Sequence, residues 1–282
     1  MNLLNGLNER QLEAVTTTEG PVMVMAGAGS GKTKVLTTRI AYLISELGIP
    51  STNILAVTFT NKAANEMKQR IEGMLSIETK YMWVSTFHSF CCRLLRLEIK
   101  ALPPYTSSFQ ILDEEDSLKV VKDIMKQAEL DEFKPKEIRG LISKSKNFTD
   151  FRIDDPRLNN IFTIVLEKYE EFMKENNALD FDDLIIKTIL LFQKNPSILQ
   201  KYQNKFQYIL VDEFQDTNTL QYNLIFMLSA RYHNIFVVGD DFQSIYSFRG
   251  AKIENINRFR RDFLETKLIL LEENYRSTKE IL

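Results

Sequence analysis

The chain has 282 residues, 44% of them apolar and 11% aromatic, enough to bury one large core or two modest ones. A formal net charge of -2 gives no overall basic field, which argues against a protein that coats nucleic acid by charge alone. It does not argue against a single strand gripped by stacking in a local groove.

The first hundred residues alternate short apolar runs with amphipathic stretches. "PVMVMA" reads as a buried strand and Lys32 to Leu47 as a helix. "ILAVTF", Ile54 to Phe59, is a second strand, with a helix from Asn61 to about Ile71. "YMWVST" is a third, leading into a helix through "FCCRLLRLEI". Strand and helix in strict turn imply βαβ units and a parallel sheet with covered faces. After the breaker "LPPY", Leu102 to Tyr105, the stretch from about Asp113 to Lys205 reads almost wholly helical, with Pro135, Pro156 and Pro196 each near a helix start. Strands return at "QYILVD", "NIFVVGD" and "KLILLE". The predicted fold is α/β: a P-loop parallel sheet with helices on both faces, interrupted by an all-helical insertion. The expected boundaries are 1–107 and 196–282 for the two parts of the sheet domain and 108–195 for the insertion. Cys91 and Cys92 are the only cysteines and are adjacent, which makes neither a disulfide framework nor a zinc set. No basic-then-apolar leader precedes Asn8 and no apolar run approaches membrane-spanning length, so a cytoplasmic protein is expected.

The first strand runs into "AGAGSGKT", which fits the Walker A spacing with Ala26 where the strict pattern has a glycine. Gly27, Gly29 and Gly31, with Ala28 and Ser30 between them, let successive backbone N–H groups turn inward as an anion nest at a helix N-terminus. Lys32 is placed to reach β- and γ-phosphates, and the Thr33 hydroxyl to ligate magnesium. A glycine-rich turn without function is the alternative; the strand before and the helix after argue against it. "ILVDEFQD" adds two carboxylates at a strand's carboxyl end. If side chains alternate there, Asp212 faces the metal and Glu213 faces an attacking water as general base. A solvated turn is the usual meaning of such a pair, and the P-loop on the same sheet favours the site. A glutamate poised on water points to an ATPase rather than a kinase, with ATP and Mg2+ as cofactors.

"LNERQLEAV", "AGAGSGKT", "TFTNKAANEM", "STFHSF", "ALDFDDLI", "VDEFQDTN", "VVGDDFQSIYSFRGA" and "LEENYRST" occur in the order seen in UvrD/PcrA/Rep-type DNA helicases of superfamily one, which the chain resembles from Leu7 to Thr278. The resemblance implies that Gln11 reads the adenine edge, Tyr275 stacks on the adenine, Arg276 reaches the γ-phosphate and Gln243 senses it. Lys34 stands where the family has an arginine near the nucleotide; it keeps the charge and loses the planar fork. On the nucleic-acid side, the resemblance matches Phe59, Phe181, Tyr246 and Phe248 to a track on which bases stack, at roughly 1–3 kcal/mol per base. Asn61, Thr86, His88 and Arg249 are matched to phosphate or sugar. Taken singly, these aromatics read as core plugs and His88 as an ordinary core histidine. Phe248 replaces a tryptophan, Phe214 the usual tyrosine beside the acidic pair, and Phe242 an acidic residue.

The family continues into a second RecA-like domain that completes the ATP cleft, so the chain reads as the N-terminal portion of a longer helicase, poorly active by itself. Its expected partners are single-stranded DNA and duplex junctions, the C-terminal RecA-like domain of the same protein, and repair or replication proteins. The expected activity is ATP-dependent translocation, 3′ to 5′ by resemblance. Two other readings stay open: a nucleotide-regulated single-strand-binding module with little turnover, and a P-loop ATPase acting on protein partners. The lysines of "KSK", Lys144 to Lys146, read as a contact to duplex backbone or as a solvated face.

Overall fold

A computed structural model describes residues 3–27, 29–130, 132–148, 150–240 and 253–275. The chain divides into two compact units, residues 1–90 with 199–282, and residues 91–198.

The first unit is built on six strands: β1 (Val22–Ala26), β2 (Ile54–Thr58), β3 (Trp83–Thr86), β6 (Tyr208–Val211), β7 (Ile235–Gly239) and β8 (Lys267–Leu271). They pair in parallel in the order β3-β2-β6-β7-β1-β8. Strands β1, β2, β6 and β7 are buried at every residue, which is why they read as unbroken apolar runs rather than alternating ones. On one face, Val22, Val24, Ala56, Leu210 and Val238 pack with Val15 of α1 (Glu9–Thr16), Leu36, Ile40 and Leu43 of α2 (Lys32–Ser45), and Met67 and Ile71 of α3 (Asn61–Leu75). Trp83 makes edge contacts with Phe90, Tyr202 and Phe206. Phe90 belongs to α4 (Phe87–Glu98), and Tyr202 to α9 (Pro196–Lys205). Phe214 packs on Tyr222 of α10 (Thr219–Ser229) and Phe259 of α11 (Ile253–Asp262).

A charged side chain lies deep in this unit. Arg39 on α2 is 1% exposed and donates from Nη1 to the carbonyls of Ala14 (2.8 Å) and Thr17 and from Nη2 to that of Thr18 (3.2 Å). Its guanidinium also lies 4.3 Å from the centre of the Phe236 ring. The carbonyls at the end of α1 have few partners in their own helix, and a planar five-donor group satisfies several at once.

The second unit holds α5 (Glu114–Gln127), α6 (Pro135–Asn147), α7 (Pro156–Glu175) and α8 (Phe181–Lys194). Pro135 and Pro156 open their helices, and Pro196 opens α9, where a missing N–H costs nothing. Val121, Ile138, Ile142, Val165, Tyr169 and Met173 form its core. The all-helical insertion expected from sequence is corrected here: β4 (Gln110–Leu112) and β5 (Ala178–Asp180) pair in parallel. Each strand has only three residues, too few to display a period.

Candidate nucleotide site and nucleic-acid interface

Parallel strands deliver their following loops to one edge of a sheet, and ligands gather there. Strands β6, β7 and β1 are neighbours, so the loops after them converge. The P-loop follows β1, Asp212 and Glu213 follow β6, and Asp240 follows β7.

Gly29 and Gly31 have φ of 79° and 87°, the left-handed backbone that turns N–H groups into a nest. A Cβ on Gly31 would lie 2.8 Å from Gln11 Nε2, so this glycine is needed for space as well as for conformation. Gly27 has no positive φ and open space at its Cβ position, so the nest rests on two glycines rather than three. Gly31 caps α2 without a side-chain hydrogen bond, leaving the first N–H groups of that helix for an anion. Ser30 is buried, and its hydroxyl donates to Gly27 O at 2.7 Å. Ala28 lies outside the described residues.

The Lys32 ammonium lies 2.9 Å from Asp240 Oδ2 and 3.8 Å from Glu213 Oε2. Asp212 is 5% exposed, and Thr58 Oγ1 donates to its Oδ2 at 3.5 Å. Burial first, and then the nearby Glu213 charge, push its carboxyl up to about 6. A divalent cation reverses that balance. Glu213 does not continue the strand: β6 ends at Val211, and Glu213 sits at φ 48°, ψ 45° ahead of a 3-10 turn over Phe214–Asp216. The chain therefore leaves the strand through a left-handed turn at Glu213, and strand alternation does not set the two carboxylates apart. Such a backbone is costly for a non-glycine residue and is typically held by its surroundings. Here Gln215 is one restraint: its Nε2 donates to Glu213 Oε2 at 2.8 Å, and its Oε1 accepts the Asp240 N–H at 3.0 Å.

This arrangement fits a magnesium-bound nucleoside triphosphate. A left-handed glycine nest, an ammonium beside two carboxylates, and a desolvated aspartate beside a hydroxyl accommodate phosphate and cation together. Lys32 and the nest would take phosphate oxygens, with Thr33 and Asp212 on the cation. Among the described residues no group of three or more His, Cys, Asp or Glu is arranged to hold a metal. Magnesium needs only one or two carboxylates when phosphates complete its shell.

Gln11 is buried at 2% exposure, with its amide already engaged: Oε1 accepts the Asn8 N–H at 3.2 Å and Nε2 donates to Ser30 O at 2.9 Å. It thus ties α1 to the P-loop. Tyr275 donates its backbone N–H to Gly29 O at 2.9 Å, its ring is 59% exposed, and its hydroxyl accepts from Asn8 Nδ2 at 2.7 Å. Lys34 is exposed and donates to Gly6 O. Phe214, in the place of the usual tyrosine, is 2% exposed and packs on Tyr222 and Phe259.

A second group gathers at the carboxyl ends of β2 and β3. The half-buried Phe59 ring meets Phe87 edge-on at 5.9 Å between centroids. Thr86 Oγ1 donates to Ser89 Oγ at 2.9 Å and accepts the Ser89 N–H, while Ser89 Oγ donates to Asn61 Oδ1 at 3.4 Å. His88 is half-buried in the same turn of α4. In the second unit, Phe181 is 51% exposed at the start of α8 and lines a groove of about 630 Å³ with Arg139, Lys144 and Asp182. Gln243, Tyr246, Phe248, Arg249 and Arg276, and with them Phe242, lie outside the described residues.

The lysines of "KSK" part company. Lys144 is exposed, but the Lys146 side chain is 8% exposed and its ammonium sits 3.0 Å from Asp180 Oδ2, 2.9 Å from Asp183 Oδ1 and 3.3 Å from Glu170 Oε1. It is neither a duplex contact nor part of a solvated face, because three carboxylates compensate its burial.

Sequence reasoning missed Asp240 and Gln215. Both stand beside residues it singled out, but their roles depend on β6 and β7 being neighbours, which no local pattern encodes.

The family model for the UvrD/REP helicase N-terminal domain matches residues 7–264. The chain is 50% identical to the ATP-dependent DNA helicase PcrA of Bacillus subtilis (strain 168) across 99% of its own length and 39% of that protein's. It is 48% identical to the ATP-dependent DNA helicase PcrA of Staphylococcus aureus (strain Mu50 / ATCC 700699) and 49% to that of Staphylococcus epidermidis, each with the same coverage. The chain spans about two-fifths of the length of these curated relatives.

Proposed function

The chain belongs to the UvrD/REP helicase N-terminal domain family, and from that membership we propose that it is the N-terminal ATPase portion of a DNA helicase that couples ATP hydrolysis to movement on single-stranded DNA. The observation that carries this reading is the Lys32 ammonium, held 2.9 Å from Asp240 and 3.8 Å from Glu213 at the mouth of a left-handed glycine nest. A cation placed there is ready to exchange its own carboxylates for phosphate oxygens.

The proposed division is 1–107 and 196–282 for the RecA-like ATPase domain and 108–195 for its insertion. Within it, Lys32 and the P-loop from Ala26 to Thr33 hold the phosphates, Thr33 and Asp212 the magnesium ion, and Gln11, Lys34 and Tyr275 the nucleoside end. Bound magnesium nucleotide supplies the scissile anhydride and a cation that offsets its charge. Glu213 accepts the proton of the attacking water, and Gln215 fixes the direction of that carboxylate. Gln243 and Arg276 complete the γ-phosphate contacts. Phe59, Asn61, Thr86 and His88 at the ends of β2 and β3, together with Phe181, Tyr246, Phe248 and Arg249, bind the strand, the aromatics by stacking and the polar groups at phosphate or sugar. Movement runs 3′ to 5′, in repair or replication in the cytoplasm, with duplex junctions, the C-terminal RecA-like domain and other repair or replication proteins as partners.

ATP turnover measured with and without single-stranded DNA tests this. DNA-stimulated hydrolysis supports it. Binding of both ligands without turnover favours a nucleotide-regulated binding module for the chain by itself. Hydrolysis indifferent to DNA contradicts the reading and favours action on protein partners.

A further inference from the structure

We propose that Lys146 is a positioning residue: with Asn147 on the same helix it holds the carboxylates flanking Phe181, and so sets that ring as a pre-oriented platform for a nucleic-acid base. The inference rests on the reading of Phe181 given above and adds the groups that hold the ring in place.

Phe181 is the first residue of α8, and its ring is half exposed at the side of a groove. Each of its neighbours is tied. Asp180 Oδ1 accepts the Asp183 N–H at 2.9 Å and Asp183 Oδ2 accepts the Asp180 N–H at 3.1 Å, a reciprocal cap on the helix turn that begins with Phe181. Lys146 Nζ donates to both carboxylates, and Tyr169 OH donates to Asp180 Oδ2 at 3.0 Å. At the residue that follows Phe181, Asp182 Oδ1 accepts from Asn147 Nδ2 at 2.8 Å. Two consecutive residues at the end of α6 therefore grip positions 180, 182 and 183, on either side of Phe181 in the chain.

A buried ionic cluster is a weak device for stability, since well-packed apolar residues of equal volume do as well. What it supplies is one geometry. Burial pushes the Lys146 ammonium down, but the Asp183, Asp180 and Glu170 carboxylates outweigh it and the net shift is upward, so the clamp stays charged across the physiological range. Fixing the backbone beneath an aromatic ring before the base arrives removes an ordering cost from binding.

The test is the affinity of the 282-residue chain for a fluorescently labelled oligothymidylate, with melting temperature measured for every variant. We expect Phe181→Ala to weaken binding about 10-fold, the loss of one stacked base. Lys146→Met should weaken it about fivefold or more, with Lys146→Arg recovering part of the loss. In the Lys146→Met background, Phe181→Ala should then cost less than about twofold, because the ring is already misplaced. A general loss of stability would instead leave the Phe181 penalty intact and additive. Asn147→Ala removes one hydrogen bond at the rim of the cluster and is judged by the same double-variant criterion, which decides the matter should Lys146→Met not fold. If Phe181→Ala weakens binding while Lys146→Met and Asn147→Ala leave it within about twofold and additive, the clamp is wrong and the platform stands. If Phe181→Ala has no effect, the platform reading fails and takes the clamp with it.

Discussion

Gln215 joins the ends of two strands: its amide nitrogen donates to Glu213 Oε2 at 2.8 Å and its amide oxygen accepts the Asp240 N–H at 3.0 Å. Glu213 and Asp240 are also the two carboxylates around Lys32. One buried amide thus sets the position of the proposed base and of the group that holds the P-loop lysine.

Replacing Gln215 by Ala should leave nucleotide affinity within about threefold and lower the hydrolysis rate by about 10- to 100-fold, since it frees a general base to turn away from water. It should also cost roughly 1–3 kcal/mol of stability, because the Asp240 N–H loses its acceptor. Steady-state kinetics read as a kcat loss with KM nearly constant would match; a KM effect alone would not.

Two of the three P-loop glycines, Gly27 and Gly31, should behave unequally on substitution by Ala. Gly31→Ala places a Cβ against Gln11 Nε2 in a left-handed backbone and should destabilise the chain by roughly 1–3 kcal/mol. Gly27→Ala meets open space and should change stability by no more than about 0.5 kcal/mol. Thermal melting without nucleotide measures both.

Arg39→Lys should be far from conservative. A single ammonium cannot span the carbonyls of Ala14, Thr17 and Thr18, and the loss should be roughly 2–4 kcal/mol. Because α1 carries Gln11, which holds Ser30 O, nucleotide affinity should fall with it. Denaturant melts with nucleotide titration check the two effects together.

In the second unit, burial pushes the Asp183 carboxyl up to about 6, with the Asp180 charge adding to it and Lys146 opposing. A carboxyl whose folded pKa exceeds its unfolded value near 4 favours folding fully below that lower value, and the advantage fades as pH rises through about 6. Asp183→Asn keeps an acceptor for the cap and cannot ionise. Its melting temperature relative to the parent chain should therefore rise between pH 4.5 and pH 7.5, by an amount worth up to roughly 2 kcal/mol. A difference that is flat or falls over that window would contradict the burial argument.

How much could be seen beforehand follows from how local each feature is. Strands such as Val22–Ala26 and Ile235–Gly239 were legible because strands buried on both faces are uninterrupted apolar runs. Pro135, Pro156 and Pro196 marked helix starts for an equally local reason. The P-loop was legible because its glycine spacing is itself the structure. The carboxylates Asp212 and Glu213 stand out in "VDEF" as a pair, but nothing there announces a glutamate at positive φ. Ala178–Asp180 was invisible as a strand because three residues carry no period, and its pairing depends on Gln110 some seventy residues away in the chain. Lys146 looked like one of several surface lysines; only the fold brings Asp180, Asp183 and Glu170 around it.

The most direct measurement is calorimetric titration of the chain with magnesium and a non-hydrolysable ATP analogue, set against Lys32→Ala. The account predicts one saturable site in the parent chain and a loss of about 100-fold or more in the variant, the worth of a charge-assisted contact to phosphate. Equal affinity in the two proteins would contradict the placement of nucleotide phosphate on Lys32.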